Sequence, residues 1–313
     1  MSVVDNGGAI AIKGFNYQKT AIIFVMIHHF EQENFKIVPE SKDDFEVYLN
    51  NQVYYVQVKG TKKLSISKLK SQTKGKESII EKNLFPGADE DNRKIFLWDL
   101  SETTKIELTK VKGTLFPEKY QFSDDQKTDI TKSLNLNPSQ RSRLENQFIY
   151  ITPFTNDLEQ SLIMLKGYMV EEGLLVTNER ATVVLSELAL EIDQKSEILI
   201  TVEEDLVNKE IDGNYLKKIF ISVKQKEMFD EVLNNLPLNT LMKQKVRAVK
   251  LRIPLLHTTL KKKIKDEVNV SKIMSCSTDE EAIHYIKNLI KEDIATELSI
   301  ALAIDCFCEL EEV

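Results

Sequence analysis

Apolar and polar positions follow one rhythm in the first half of the chain and another in the second. From Asn16 to Glu33 the apolar residues, Ala21, Phe24, Val25, Ile27 and their neighbours, surround the helical wheel almost completely, which predicts a helix buried on several sides. Gly7, Gly8 and Gly14 ahead of it read as a flexible entry. Three short strands are predicted next, at Lys36–Pro39, Phe45–Leu49 and Val53–Lys59. The last two are joined at Asn50-Asn51, a pair that tolerates positive φ and suits a tight hairpin turn. Ser65 to Asn83 predicts a second helix capped by Ser65 or Ser67, and KIFLWD (Lys94–Asp99) a buried strand with Phe96 and Trp98 in the core. Residues 101–146 are polar and mixed, with a helix expected only near Asp124–Ser133, and QFIYIT (Gln147–Thr152) is another strand, stopped by Pro153.

After Pro153 the spacing is helical throughout. Helices are expected over Leu158–Glu172, Thr177–Lys195, Glu197–Glu210, Gly213–Ile221, Gln225–Leu236, Leu238–Arg252, Asp279–Glu292 and Ala295–Glu311, with no strand. The expected organisation is therefore an α/β domain over 1–155 followed by an all-α domain over 156–313. Charge divides in the same place. The first 152 residues hold 22 basic and 20 acidic side chains, and the remainder 20 and 29. A slightly basic first half and a strongly acidic second half fit a nucleic-acid-facing part joined to a part that faces something else.

Cys276, Cys306 and Cys308 form neither a disulfide framework nor repeated CxxC spacing, so a reducing cytoplasm is the expected setting. The longest apolar run near the N-terminus, Ala21 to Ile27, is too short to span a bilayer, and the polar start with Asp5 and Asn6 differs from a signal peptide. No membrane association is expected. Neither GxxxxGK[ST] nor GxGxxG occurs, so nothing supports ATP or dinucleotide binding. His28 and His29 read as one core and one solvent histidine, Cys306 and Cys308 as packing residues, and the KKKIK run at 261–265 as a solvated helix face.

The chemistry concentrates in ESKDDFEVYLNNQVYYVQVKG, residues 40–60. Alternation along a strand puts Gln57 and Lys59 on one face, and a two-residue turn pairs Leu49 with Gln52 and hence brings Asp44 beside Gln57. A carboxylate, a neutral amide and an ammonium together can hold Mg²⁺ (or Mn²⁺) against a phosphodiester. Asp44 is the expected metal ligand, with Gln57 and the Val58 carbonyl completing the site. Lys59 would orient water or neutralise developing charge. Asp43 could take the place of Asp44, and Glu40 could bind metal directly or through water. From Lys59 to Lys76 there are seven lysines and no acid. Beyond Lys59 these are Lys62, Lys63, Lys68, Lys70, Lys74 and Lys76, expected phosphate-backbone contacts.

These residues resemble the PD-(D/E)XK nucleases in the variant where Gln replaces the second acid: Asp44 … Gln57-Val58-Lys59. The order helix, three strands, helix, strand is that of the restriction-endonuclease-like core. The opening GFNYQ (Gly14–Gln18) is similar to one branch, the double-strand DNA endonuclease domain of anti-phage effectors of the CBASS and Lamassu types, over about residues 10–155. In such nucleases a helix-borne polar residue lies near the site, and Gln18 matches that position. CBASS effectors carry a large α/β nucleotide sensor, which the helical second half does not match. The resemblance therefore implies a Lamassu-like nuclease subunit: a Mg-dependent deoxyribonuclease acting on double-stranded DNA. It would be held inactive by an SMC-like ATPase and an accessory subunit, and would form homo-oligomers when active. A stand-alone restriction or repair nuclease is one alternative. A non-catalytic DNA-binding or scaffold protein on a degenerate nuclease fold is the other.

Overall fold

Helix α1 spans Gly7–His29, and its residues from Thr20 to Ile27 are buried on every side. This computed structural model describes residues 6–61, 63–73, 75–113, 115–116, 118–174 and 177–310. The three glycines taken for a flexible entry lie inside α1, whose first eight residues are exposed. Strands β1 (Lys36–Pro39), β2 (Phe45–Leu49) and β3 (Gln52–Lys59) follow, all within one residue of expectation.

The helix expected over Ser65–Asn83 forms two short ones, α2 (Ile66–Lys70) and α3 (Ile79–Leu84). Gly75 lies between them at φ 76°, and Ser78 opens α3 with a capping box to Glu81, so local turn and cap chemistry interrupts the run. Next come β4 (Asn92–Leu97), α4 (Glu102–Glu107), β5 (Thr109–Lys112), β6 (Glu118–Gln121), α5 (Asp124–Ser133), α6 (Pro138–Glu145) and β7 (Gln147–Ile151). The β5–β6 hairpin was not expected. Its residues Thr109–Lys112 are almost wholly exposed at the sheet edge and lack the alternation that marks a half-buried strand.

The described strands form one sheet in the order β5-β6-β7-β4-β3-β2-β1-β8. Its centre, β3, β4 and β7, is parallel; β1, β2 and β3 are antiparallel neighbours. Parallel strands are stable only when both faces are covered. On one face Phe24 of α1 stacks on Phe116 at 4.8 Å and meets Phe154 and Tyr168 edge-on, with Phe45, Phe96 and Tyr150 beneath. On the other, Leu69, Ile80, Leu84, Ile130 and Leu144 cover Ile95, Leu97 and Ile149. Phe96 is fully buried and Trp98, just past β4, only partly.

Helices α7 (Leu158–Glu171) and α8 (Asn178–Glu197) pack on α1, which accounts for its all-round apolar surface. The expected helix over Glu197–Glu210 is instead an extended stretch and a 3₁₀ turn at Glu203–Lys209. It leads to β8 (Ile211–Asp212), where Ile211 pairs with Ile37. The second half therefore returns a strand to the sheet. The expected domain boundary at 155 marks where the central strands end; the compact units divide at Ile219/Phe220, because α7, α8 and β8 all pack within the first.

Helix α9 (Gly213–Asn235) leads into the second unit. It continues with α10 (Thr240–Lys250), α11 (Ile253–Leu256), α12 (Thr258–Glu267), α13 (Val270–Met274), α14 (Asp279–Asn288) and α15 (Thr296–Cys308). Glu311, the expected end of the last helix, lies outside the described residues. Within this unit α15 is central: Ala301 to Ile304 are fully buried, with α10, α12 and α14 packed around them. The protein is thus a mixed α/β region followed by helices. Among the described residues no helix is long and apolar enough to cross a membrane.

Both histidines of α1 find main-chain partners. His28 Nδ1 lies 2.8 Å from the Phe24 carbonyl. His29 is buried; its Nε2–H donates to the Leu115 carbonyl at 2.8 Å, and its Nδ1 accepts from the Gln32 amide at 2.9 Å. A second ring proton would meet that amide donor. Burial, together with the neighbouring His28, lowers the His29 pKa from 6.5 to about 4. The unfolded chain binds this proton below about pH 6.5 and the native state only near 4, so stability is full above that window and falls as pH drops through it. His29→Gln is expected to flatten the decline between pH 6.5 and 4, read by urea unfolding at a series of pH values; an unchanged slope would contradict a neutral buried ring.

Candidate functional site

The site follows from the β2–β3 turn. Asn50 and Asn51 take φ of 52° and 61°, the left-handed values that let a two-residue turn match strand twist. The register then runs Leu49↔Gln52 through Phe45↔Val56, which puts Asp44 opposite Gln57. The Gln57 side-chain amide donates to Asp44 Oδ2, as does the Val58 main-chain N–H at 2.6 Å, and Lys59 Nζ stands 3.7 Å from the same oxygen. These described donors all reach Oδ2. Gln57 is 2% exposed, whereas the side chains of Asp44 and Lys59 are 24% and 31% exposed. The amide is a wall of the site, and the two charges face its opening.

Gln18 joins this group from α1. Its amide donates to Glu40 Oε1 at 2.7 Å and to the Asp44 carbonyl at 2.8 Å, while the Glu40 N–H donates to the same carbonyl at 3.0 Å. The structure therefore brings together Gln18, Glu40, Asp44, Gln57, Val58 and Lys59. Asp43 points elsewhere: its Oδ2 accepts from Asn83 of α3 at 2.6 Å and its Oδ1 from the Asp44 N–H at 3.0 Å. Burial, reinforced by the adjacent Asp44, raises the Asp43 pKa from 3.8 to about 7, against the opposing hydrogen bond from Asn83.

Asn83 was not foreseen. It is fully buried, donates to the Tyr55 carbonyl at 3.0 Å as well as to Asp43, and accepts from Gln147 at 3.0 Å. One signal was available in the sequence: a polar residue beside Leu84 on the buried side of α3, where Ile80 is also inward.

A cleft of about 360 Å³ opens from Lys59 and is lined by Lys68, Lys76 and Lys82, with Ser71, Thr73, Glu77 and Ile79. Of the expected phosphate contacts, Lys68 and Lys76 lie here and Lys63 is exposed nearby in sequence. Lys70 points away, in an ion pair with Asp129. Lys62 and Lys74 lie outside the described residues. Lys82 was missed because Glu77 and Glu81 hide it in the one-dimensional charge pattern; α3 turns it into the cleft. In the second unit three lysines of the KKKIK run are matched by acids instead: Lys261 with Asp305 and Glu309, Lys263 with Glu292, Lys265 with Glu309. Cys306 and Cys308 are buried packing residues of α15.

The donor set suits a hard divalent cation. The Asp44 carboxylate is reachable, Glu40 is held near by Gln18, and Val58 turns its main-chain polar edge to Asp44. Among the described residues no three His, Cys, Asp or Glu side chains converge as a metal cluster. Amide and main-chain oxygens and water would thus supply the remaining ligands, as Mg²⁺ accepts.

Residues 6–135, which carry α1, the hairpin and the lysine cleft, match the family model described as the Cap4 dsDNA endonuclease domain. The whole chain is 58% identical over 316 residues to the Lamassu protein LmuA of a Bacillus species, strain NIO-1130, with all of both chains covered. The chain belongs to the LmuA family of Lamassu proteins.

Asn83→Leu, which keeps the volume and removes the amide, is expected to destabilise the protein by about 1–3 kcal/mol by stranding buried partners. Urea unfolding measures it, and a change of a few tenths would mean that the Asn83 hydrogen bonds contribute little.

Proposed function

We propose that this protein is a double-stranded DNA endonuclease of a Lamassu anti-phage defence system that cuts phosphodiesters with Mg²⁺ or Mn²⁺ at the Asp44–Gln57–Lys59 cluster. One observation carries the reading: the three side chains meet at Asp44 Oδ2, and one of them, Lys59, also lines a lysine-rich cleft, inside the segment that matches an endonuclease domain. The fold would be a restriction-endonuclease-like core, in which α1, β1–β3, α2, α3 and β4 supply the expected order. The chain spans the full length of its Lamassu relative, which favours an effector within a defence complex over a stand-alone enzyme.

Asp44, with Glu40 beside it, would hold the cation, and Gln57 and the Val58 carbonyl would complete the set once the Gln57 amide turns its oxygen inward. The Val58 carbonyl lies on the same strand edge as its N–H, which faces Asp44. When bound, the cation polarises the phosphate and lowers the pKa of an attacking water. Lys59 then orients that water and offsets charge gathering on the phosphoryl oxygens. Gln18 fixes Glu40 against the Asp44 main chain. Asp43 is committed to Asn83 and shapes the loop, leaving Asp44 as the ligand. Lys68, Lys76 and Lys82, with Lys63 nearby, carry the DNA backbone to Lys59. The acidic second half would dock an SMC-like ATPase and an accessory subunit that keep the nuclease silent, and would support homo-oligomers once released. Three free cysteines fit work in the cytoplasm.

Cleavage of linear and circular duplex DNA in Mg²⁺ or Mn²⁺, with and without the SMC-like partner, tests this reading. Asp44→Ala and Lys59→Ala are each expected to slow cutting by about 10²-fold or more; Lys59→Ala should leave the thermal midpoint near wild type, whereas Asp44→Ala, which strands the Gln57 and Val58 donors, should lower it. Undiminished cutting by Lys59→Ala would remove it from the site. Binding to duplex DNA in EDTA should weaken steeply with salt. Each of Lys68→Ala, Lys76→Ala and Lys82→Ala is expected to reduce the slope of log K against log [salt] by about 1. An unchanged slope in all three would put the DNA elsewhere.

A further inference from the structure

The loop from Glu40 to Asp44 is not held by the hairpin alone. Glu40 lies at φ 47°, a left-handed conformation that a non-glycine residue adopts only when its surroundings hold it there. The holding group comes from far along the chain. Lys209 is 2% exposed, and its ammonium donates to the Glu40 carbonyl, with the Ser196 carbonyl at 3.4 Å. A second link lies nearby, an ion pair between Lys42 in the loop and Glu203 at the start of the 3₁₀ turn. A third is the pairing of Ile211 with Ile37, two residues before β1 ends and three before Glu40. A cleft of about 490 Å³ separates loop and brace between these links.

We propose that residues 196–210 are a brace for the carboxylate loop, and that Lys209 is a positioning residue that orients Glu40 toward Asp44 and so sets the affinity of the site for its divalent cation. This rests on the reading of the Asp44 cluster as a cation site. Glu40 is gripped from two directions: Gln18 holds its carboxylate and Lys209 its carbonyl. Without the buried ammonium, the carbonyl loses its partner and the strained backbone is free to relax. The carboxylate then swings from Gln18, while the hairpin that carries Asp44, Gln57 and Lys59 stays in register. The effect should therefore fall on cation binding and spare the lysine cleft, which is built from other elements.

The test uses the full chain and calorimetric titration with Mn²⁺, alongside duplex DNA binding in EDTA. Lys209→Met keeps the apolar stem and removes the amine; it is expected to weaken Mn²⁺ binding by about 10-fold or more and leave DNA affinity unchanged. A general folding defect would lower both. Glu203→Lys, at a side chain 74% exposed, opposes Lys42 without disturbing the core and should weaken Mn²⁺ binding in the same direction, so it carries the test if Lys209→Met does not fold. Asp44→Ala should abolish Mn²⁺ binding. If it does, and Lys209→Met and Glu203→Lys bind Mn²⁺ like wild type, the brace is overturned and the cation site stands. If wild type binds no Mn²⁺, or Asp44→Ala binds it unchanged, the cation site falls and the brace with it.

Discussion

The hydrogen bonds from β3 to Asp44 Oδ2 are the contact on which the rest of the site depends. They exist because β2 and β3 keep one register, and that register is set by two asparagines that accept left-handed backbone. A slip of one residue would turn Gln57 and Lys59 to the α1 side of the sheet and leave Asp44 facing Val58. The same bonds tie the loop ahead of β2 to the end of β3, so a mobile acidic turn becomes a fixed edge of the sheet.

The layers on either side keep this edge in place. On one face Tyr17 hydrogen-bonds Thr152 at 2.5 Å and its ring lies 3.0 Å from where a side chain at Gly60 would begin. The lack of a side chain just after Lys59 thus leaves room for the Tyr17 ring of α1, the helix from which Gln18 reaches Glu40 and the Asp44 main chain. On the other face Asn83 ties Asp43 to the Tyr55 carbonyl and to Gln147 of β7. The neighbouring aspartates are thereby divided: one is buried against Asn83 with its pKa raised, the other faces the opening beside an ammonium.

Charge is arranged by pairing as much as by count. The lysines that line the cleft beside Lys59 outnumber its one carboxylate, Glu77. Lys70, equally prominent in the sequence, is taken up by Asp129, and Lys261, Lys263 and Lys265 of the KKKIK run in the second unit by Asp305, Glu309 and Glu292. A run of positive charge in a sequence is therefore a basic surface only where the fold supplies no carboxylates to face it.

What the sequence determined by itself is short-range. The Asn-Asn turn, the alternation of β2 and β3, the all-round apolar α1 and the triplet Gln57-Val58-Lys59 are local patterns, and together they placed Asp44, Gln57 and Lys59 side by side. The break between α2 and α3 was also local, but cap and turn chemistry at Gly75 and Ser78 outweighed helical spacing there. Only the tertiary structure decided which aspartate faces the opening, that Lys82 joins the cleft and that Asn83 supports the loop from beneath. It also decided that the chain returns after α8 to add β8 beside β1 and to send Lys209 under Glu40. Lys209 and Glu40 are 169 positions apart. A buried polar side chain is specified by the partner it meets, and no periodicity along the chain encodes a partner at that separation.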